Sequence, residues 1–324
     1  MRVNQYIVLL LAAVLVACTP EPSVKVSVRQ CADIPVGRAS ACVAVLDGKA
    51  YVFGGRDQNG RFLNDLWSYD PLTDTWTDLG GTPLKPRVKA SIAAMENQVY
   101  MGLGYSANHA YVDSAYQQDW FAYTPQTGEW KRGADVPSKN SVAALTYVRS
   151  EKAYILYGNG RFFTSEIYAY TPSANSWEEA PRLHKRPRAC FGACAATYDG
   201  ELYFGTGFDT YNTSVWYAVD IARDQWTARQ SVPGKGREWS SAASSEEYIY
   251  LFGGRYFGGD LTGGEVFGDY LRYSPAQDRW EHCGTMPCGR AENQIAFTIS
   301  GKVYFGLGEN EKGEIINHLY CIEE

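Results

Sequence analysis

The sequence predicts an all-β fold, a six-bladed β-propeller whose ring is closed by an outer strand from the N-terminal end of the repeat region. Three observations predict it. A unit of about fifty residues recurs from residue 24 to residue 324. Each unit has a Tyr-containing apolar strand that runs into glycines, and five units close with a Trp. Segment 28–38 matches segment 280–290 at Cys, Pro, Gly and Arg, which indicates that both ends of the chain build one blade.

The N-terminal segment is typical of an exported bacterial lipoprotein. Its apolar run, 7–17, is too short to span a bilayer as a mature helix, and it ends at Cys18 in a pattern that resembles the lipobox. We therefore expect a signal peptide over residues 1–17, a lipid on Cys18, and a short proline-containing tether within 18–23. Because Thr19 stands where an Asp would favour the inner membrane, we expect the outer membrane, facing the periplasm or the cell surface. The lipid is the only membrane contact expected.

The second strand of the unit carries the clearest repeat signal. It occurs in register at 50–55, 99–104, 153–158, 202–207, 249–254 and 303–308. The closing Trp occurs at Trp76, Trp130, Trp177, Trp226 and Trp280. The sixth blade therefore lacks an outer strand, and residues 24–30 are predicted to supply it, which leaves no open sheet edge in the ring.

These units resemble kelch repeats, in which a hydrophobic strand leads to a glycine pair and a Trp follows after a longer loop. The pair is intact at Gly54-Gly55 and Gly253-Gly254, and other units space the two glycines by one residue. The resemblance covers residues 24–324 and implies a single kelch-type propeller domain. It also implies that a ligand would bind at a mouth of the central channel, although the fold alone does not assign a function.

The resemblance implies that two positions of each unit line the same mouth. The start of the innermost strand supplies Arg38, Arg87, Arg188, Arg237 and Arg290. The position after the glycine turn supplies Arg56, Tyr105, Arg161, Phe208, Arg255 and Glu309. Trp239, Glu292 and Asn293, which follow the inner-strand Arg by two or three residues, are predicted to fill the channel end or contact a ligand. A basic, aromatic mouth favours an acidic sugar, because guanidinium groups bind carboxylates in bidentate fashion and aromatic faces stack on sugar rings.

Another interpretation of the inner-strand arginines stays open. They are also explained as a feature of the repeat, in which each guanidinium pairs with an acid or with carbonyl groups of a neighbouring blade. The arginines after the glycine turn are not required by the repeat, so they favour a binding site more strongly.

Composition and histidine placement exclude several classes of function. The 30 basic and 36 acidic residues give a net charge of −6, so no nucleic-acid partner is expected. The four His occupy different positions of the repeat, so we expect no metal site and no cofactor. In particular, the converging His and Tyr ligands of copper oxidases that resemble galactose oxidase are missing.

Three functions remain open. The first is a monomeric envelope lipoprotein that binds an anionic carbohydrate or a protein partner at its Arg-rich mouth. The second follows from similarity in size, export and blade number to bacterial sialic acid (N-acetylneuraminate) mutarotases or epimerases, which implies Glu309 as the catalytic acid or base. The chain departs from that family because Glu309 has no Arg in its own loop. The third is a structural module of an envelope sugar-uptake assembly.

Two cysteines are predicted to meet in the closing blade. Cys31 is placed on the outermost strand and Cys321 on the third strand. A disulfide between them would lock the ring shut, provided that the two strands bring the thiols into matched geometry.

Overall fold

The computed structural model describes residues 23–109, 112–138, 142–160, 166–180, 191–221, 223, 225–258 and 264–323. Four features predicted from the sequence lie outside these residues, namely the signal peptide, Cys18, Arg161 and Arg188. The described chain is an all-β propeller of six four-stranded antiparallel sheets around a central channel, as predicted. It contains one short 3-10 helix, Asp113–Ala115. No helix of the described residues is long and apolar enough to cross a bilayer.

The strands follow the chain from blade to blade, and each blade runs from the channel outwards. Strand β1 is Ser27–Gln30. Blade 1 contains β2 (Cys42–Leu46), β3 (Lys49–Phe53), β4 (Asp65–Asp70) and β5 (Thr75–Gly81). Blade 2 contains β6 (Ser91–Met95), β7 (Gln98–Gly102), β8 (Trp120–Thr124) and β9 (Glu129–Arg132). Blade 3 contains β10 (Leu145–Arg149), β11 (Lys152–Leu156), β12 (Ile167–Thr171) and β13 (Ser176–Glu179).

The second half of the ring adds short hairpins on the mouth side. Blade 4 contains β14 (Cys194–Tyr198) and β15 (Glu201–Gly205), a hairpin of β16 (Phe208–Asp209) and β17 (Tyr211–Asn212), then β18 (Trp216–Asp220) and β19 (Gln225–Arg229). Blade 5 contains β20 (Ser241–Ser244) and β21 (Ile249–Phe252), a hairpin of β22 (Arg255–Tyr256) and β23 (Glu265–Val266), then β24 (Asp269–Ser274) and β25 (Arg279–Thr285). The last segments are β26 (Ala291–Glu292), β27 (Ile295–Ile299), β28 (Lys302–Gly306), β29 (Glu309–Asn310) and β30 (Leu319–Glu323).

The ring closes in blade 6, where the order of strands is β27, β28, β30 and β1. Strand β1 pairs antiparallel with β30, so that Ser27 lies opposite Glu323 and Val28 opposite Ile322. Just before β1, the Val24 amide donates to the carbonyl of His282 in blade 5 at 2.9 Å. The closure predicted from the repeat is therefore confirmed, and the N-terminal strand also contacts the preceding blade.

In blades 1, 3 and 5, the closing Trp links the blade to the preceding blade. The indole of Trp76 donates to the Ala32 carbonyl at 2.8 Å, and Trp76 packs against Tyr69 with ring centroids 5.0 Å apart. Asp74 completes the link, because it accepts from the Tyr69 hydroxyl at 2.7 Å and from the Ala32 amide at 2.9 Å. The same arrangement recurs around Trp177 and Trp280. The conserved spacing of Tyr and Trp within the units thus has a structural role between blades.

Three of the inner-strand arginines are buried ion-pair partners. Arg38, Arg87 and Arg237 are almost completely inaccessible, with exposures of 0%, 0% and 2%. Each guanidinium makes two hydrogen bonds to an aspartate near the start of the third strand of its own blade, namely Asp65, Asp119 and Asp269. The repeat interpretation therefore describes these arginines, with the acid in the same blade and not in the neighbouring one. We leave them out of the candidate site because each guanidinium is buried and paired with its aspartate inside the protein.

Arg290 does not occupy the position of these arginines. The carbonyl of Ala291 accepts from the Gly254 amide at 2.9 Å, as the Arg87 carbonyl accepts from the Gly55 amide at 2.9 Å. Ala291 is therefore the equivalent residue, and the sequence alignment was one residue out of register in blade 6. Because side chains alternate along an extended chain, Arg290 points outwards. It is half-exposed, and it lies 3.4 Å from Glu265.

The disulfide predicted in the closing blade is absent, because Cys31 and Cys321 are both free, buried thiols. The residue opposite Cys321 is Arg29, so Cys31 lies two residues further along, diagonally across the strand pair. Each thiol lies beside a tyrosine, Cys31 beside Tyr69 and Cys321 beside Tyr304. Burial raises the pKa of both thiols.

Asp119→Asn should destabilise the domain by about 3 kcal/mol, because it leaves the charge of the buried Arg87 without its counter-ion. The measurement is the midpoint of denaturant unfolding at an unchanged slope. Asp135→Asn is the matched control, since Asp135 is half-exposed and pairs with exposed Arg132, and it should be nearly neutral. Equal losses in the two variants would contradict a structural role for the buried pairs.

Candidate functional site at the channel mouth

A ring of six equivalent residues surrounds one end of the channel. All six have left-handed backbones, with φ between 54° and 67°: Ser40, Lys89, Ala143, Gly192, Trp239 and Asn293. Backbone hydrogen bonds of 2.9–3.0 Å link neighbouring members, as from the Lys89 amide to the Ser40 carbonyl and from the Asn293 amide to the Trp239 carbonyl. Non-glycine residues rarely adopt this conformation, and here the hydrogen bonds between blades maintain it.

The residue before each ring member pairs with the residue after the glycine turn of the same blade. The six pairs are Ala39 with Arg56, Val88 with Tyr105, Val142 with Asn159, Phe191 with Phe208, Glu238 with Arg255, and Glu292 with Glu309. Twelve side chains are thereby arranged around one mouth. Five of the residues predicted for the second position occupy it, and blade 3 has Asn159 there.

The charged side chains of the mouth are concentrated in three adjacent blades. We call Glu238 and Arg255 of blade 5, Glu292 and Glu309 of blade 6, and Arg56 of blade 1 the charged arc. Arg56 forms an ion pair with Glu309 across the boundary between blades 1 and 6. Arg255 lies 3.4 Å from Glu292 and 4.0 Å from Glu238. The Arg that Glu309 lacks in its own loop is therefore supplied by the next blade.

Aromatic side chains lie beside the charged arc and meet it in blade 5, where the Arg255 guanidinium lies 5.7 Å from the centroid of the Phe257 ring. We call Tyr105 of blade 2, Phe208 of blade 4 and Phe257 from the blade 5 hairpin the aromatic arc. Phe257 packs edge-on against Phe208 with ring centroids 6.2 Å apart, and its amide donates to Asn212 of blade 4 at 2.5 Å. Tyr105 packs against Tyr116 with centroids 4.9 Å apart. Phe257 is 43% exposed, so one apolar ring is open to solvent at the mouth.

Lys89 and Trp239 form the floor of the mouth. The Lys89 ammonium lies 2.9 Å from the centroid of the Trp239 ring and 5.4 Å from that of Phe191. The indole lies over Gly192, where an added Cβ would come within 3.1 Å of the ring. Below the floor, the channel continues as cavities of about 160, 240 and 410 Å³ lined mainly by small inner-strand residues. The floor therefore separates the mouth from the channel interior.

Three groups of the mouth have strongly perturbed acidity. Burial raises the pKa of Glu238 to about 7, against the attraction of Lys89 and Arg255. Burial also raises the pKa of Glu292, and it lowers the pKa of Lys89 to about 7. Titrating groups that are displaced towards neutral pH and cluster in a concave site are typical of functional sites. Among the described residues, no cluster of acidic, His or Cys side chains is placed to hold a metal ion.

The structure brings most of the second set of predicted residues to this mouth. Arg56, Tyr105, Phe208, Arg255 and Glu309 lie in the pairs, and Trp239, Glu292 and Asn293 lie in the ring or beside it. Their roles in binding remain a prediction.

The sequence analysis missed Lys89 and Glu238. A signal for both was present in the sequence. Lys89 lies two residues after Arg87, as Trp239 lies two residues after Arg237. Glu238 lies between Arg237 and Trp239. The repeat position that singled out Trp239 should therefore have singled out Lys89 as well.

The matches to known proteins agree with this architecture. Residues 19–207, more than half of the chain, match the family model described as the KLHDC2/KLHL20/DRC7 Kelch-repeats domain. The chain belongs to the kelch-repeat family. This kelch propeller is 24% identical to Kelch-like protein 25 of Xenopus tropicalis over 262 residues, which cover 79% of this chain and 42% of that protein.

A bacterial relative is also similar over most of the chain. It is named N-acetylneuraminate epimerase, from Haemophilus influenzae strain 86-028NP, and it is 27% identical over 249 residues, covering 72% of this chain and 60% of that protein. The kelch propeller thus spans less than two thirds of the length of either relative. A solved structure titled "Structure of YjhT" superposes with a TM-score of 0.76 at 17% identity, covering 90% of this chain and 96% of that one. At this identity the superposition shows a shared fold.

Glu238→Gln should stabilise the folded domain increasingly as the pH rises. The pKa of Glu238 is about 7 in the folded state and 4.5 in the reference state, so wild type loses stability as the pH rises from about 4.5 to 7. The variant should therefore match wild type near pH 4 and exceed it by on the order of 2 kcal/mol at pH 8.

Denaturant unfolding at the two pH values measures this difference. Glu129→Gln, an exposed residue of β9, is the matched control and should change stability little at either pH. A gain from Glu238→Gln that is the same at pH 4 and pH 8 would contradict burial of the ionised carboxylate as its cause.

Proposed function

We propose that this kelch propeller binds an acidic monosaccharide at the mouth of its channel. The observation that carries the proposal is the division of the mouth into a charged arc and an adjoining aromatic arc. An acidic sugar has the same division, since it combines one carboxylate and several hydroxyl groups with a rigid ring that presents apolar faces. Sites for such ligands combine aromatic walls with a few convergent polar groups.

The charged arc offers complementary groups for the polar part of the ligand. The side chains of Arg56 and Arg255 are 30% and 34% exposed, so each guanidinium keeps an edge open to the mouth. Such an edge donates two parallel hydrogen bonds to a carboxylate. Glu238, Glu292 and Glu309 accept hydrogen bonds when ionised and suit the hydroxyl groups of a sugar.

The aromatic arc offers a surface for the sugar ring. Phe208 and Phe257 form an edge-on pair whose outer member is exposed. Tyr105 adds a ring on the blade 2 side, with its hydroxyl group hydrogen-bonded to the His109 carbonyl and the Val112 amide. Aromatic rings present apolar surface at a small loss of side-chain entropy, which suits the C–H faces of a pyranose. The name of the Haemophilus influenzae relative, N-acetylneuraminate epimerase, supports an acidic sugar as the class of ligand.

Isothermal titration should detect binding of sialic acids or uronates to residues 23–324, and weaker or no binding of neutral hexoses. Arg255→Ala should lower the affinity for the acidic sugar at least tenfold, since a charged hydrogen bond contributes about 1.5–3 kcal/mol. Arg290→Ala is the matched control, because Arg290 lies outside the pairs and binds Glu265, and it should leave the affinity unchanged. Equal affinity for acidic and neutral sugars would argue against the proposal, and no sugar binding at all would favour a protein partner.

A second candidate function is catalysis of anomer or epimer exchange on the same ligand. The specific observation is that burial raises the pKa of Glu238 to about 7. A carboxyl group with this pKa can both donate and accept a proton near neutral pH. Glu309, the acid or base implied by the resemblance to the mutarotases, lies in the same arc with Arg56 as its partner. The arc therefore holds two carboxyl groups for proton transfer to and from a bound sugar.

Proton NMR of freshly dissolved N-acetylneuraminate should show faster exchange between its anomers when the protein is added. Because general acid or base catalysis contributes about 10²–10⁴-fold, Glu238→Gln or Glu309→Gln should lower the added rate by at least a hundredfold if that residue transfers the proton. Binding of the sugar without faster exchange between its anomers would support the binding function and exclude the catalytic function. Glu129→Gln is the matched control for both variants.

A further inference from the structure

Lys89 crosses the channel to reach the opposite side of the ring. It belongs to blade 2, whereas Trp239 belongs to blade 5, which faces blade 2 in a ring of six. Its ammonium lies 2.9 Å from the centroid of the Trp239 ring, at the base of the mouth. The absence of a side chain at Gly192 makes room for the indole on which this ammonium rests.

The charge of Lys89 is not neutralised by a direct carboxylate contact. In the described part of the chain, Arg56 and Arg255 form ion pairs with the glutamates of the charged arc, but Lys89 forms none. Glu238 and Glu292 attract the ammonium group of Lys89 from a longer distance, and the positive charges of Arg56 and Arg255 repel it. An aromatic face stabilises a cation less than a carboxylate does, so the floor holds a cation that still lacks an anion.

We propose that Lys89 receives the carboxylate of the ligand at the base of the mouth. This inference rests on the proposed binding of an acidic sugar and assigns the ligand's charged group to a particular residue. A carboxylate above the floor would lie between Lys89 and the guanidinium groups of Arg56 and Arg255. The sugar ring would then extend outwards between the charged and aromatic arcs.

The proposal has a consequence for the pH dependence of binding. The free protein has a pKa of about 7 at Lys89, and an anionic ligand in contact would raise that pKa. The affinity is then highest below pH 7, where Lys89 is protonated, and it falls as the pH rises above 7, by up to tenfold per pH unit. Glu238 and Glu292 act in the same direction, because burial raises the pKa of both and an ionised carboxylate repels the ligand. Variants must therefore separate Lys89 from both glutamates.

Titration calorimetry with N-acetylneuraminate and with its uncharged methyl ester, at pH 6 and pH 8, tests the proposal. Lys89→Met should weaken binding of the acid at least tenfold at pH 6 and leave the ester unaffected. Lys89→Arg should restore binding at pH 6 to within a few-fold, because arginine keeps its charge at both pH values. In a background that carries Glu238→Gln and Glu292→Gln, binding to the protein with Lys89 should still weaken as the pH rises from 6 to 8, whereas Lys89→Arg should abolish that change.

The outcomes separate this inference from the proposed function. If Lys89→Met, folded as judged by thermal unfolding, binds the acid as tightly as wild type, the assignment of Lys89 is overturned and the binding function stands. A pH dependence that survives Lys89→Arg in the background with Glu238→Gln and Glu292→Gln would overturn the assignment as well. Failure of the wild type to bind any acidic sugar would overturn the proposed function and this inference together.

Discussion

The hydrogen-bonded ring of left-handed residues at the channel end is the constraint on which the mouth depends. Each member donates or accepts a backbone hydrogen bond across a blade boundary, so the six inner strands start at one level around one axis. The residues before them then pair with the residues after the glycine turns, and all of these side chains converge. Such a frame leaves side-chain identity free to vary, which explains how Ser, Lys, Ala, Gly, Trp and Asn occupy the same position.

The arginines of the inner end serve two separate purposes. Arg38, Arg87 and Arg237 are buried against aspartates of their own blades, where both partners are fixed by two hydrogen bonds. Removing one partner of such a pair is costly because the other charge remains buried. Arg56 and Arg255 are partly exposed and contact glutamates at the mouth, so they are available to a ligand. Stability and the proposed recognition of a ligand thus use the same residue type at positions that differ in access to water.

Charged side chains at the mouth are buried without full compensation, unlike the paired arginines of the inner strands. Glu238 and Glu292 are almost inaccessible, and Lys89 rests on an aromatic ring, so each group loses hydration without complete compensation. Elsewhere in the described chain, the buried arginines Arg38, Arg87 and Arg237 form ion pairs with aspartates and donate hydrogen bonds to them. Unfavourable burial of charge that is confined to one concave surface is the pattern expected of a functional site.

The sequence by itself determined the fold, the number of blades and the strand that closes the ring, because these follow from a repeat in which Tyr, Gly and Trp recur at fixed positions. It also identified the residue after the glycine turn in five of the six blades. Three features were decided only by the tertiary structure. The partners of the inner arginines were not evident, since the aspartates lie about 30 residues away, and the displacement of Arg290 depends on a shift of one residue that reverses which way a side chain points. The floor of Lys89 and Trp239 joins opposite blades, and contacts between residues so distant in sequence arise only when the ring closes.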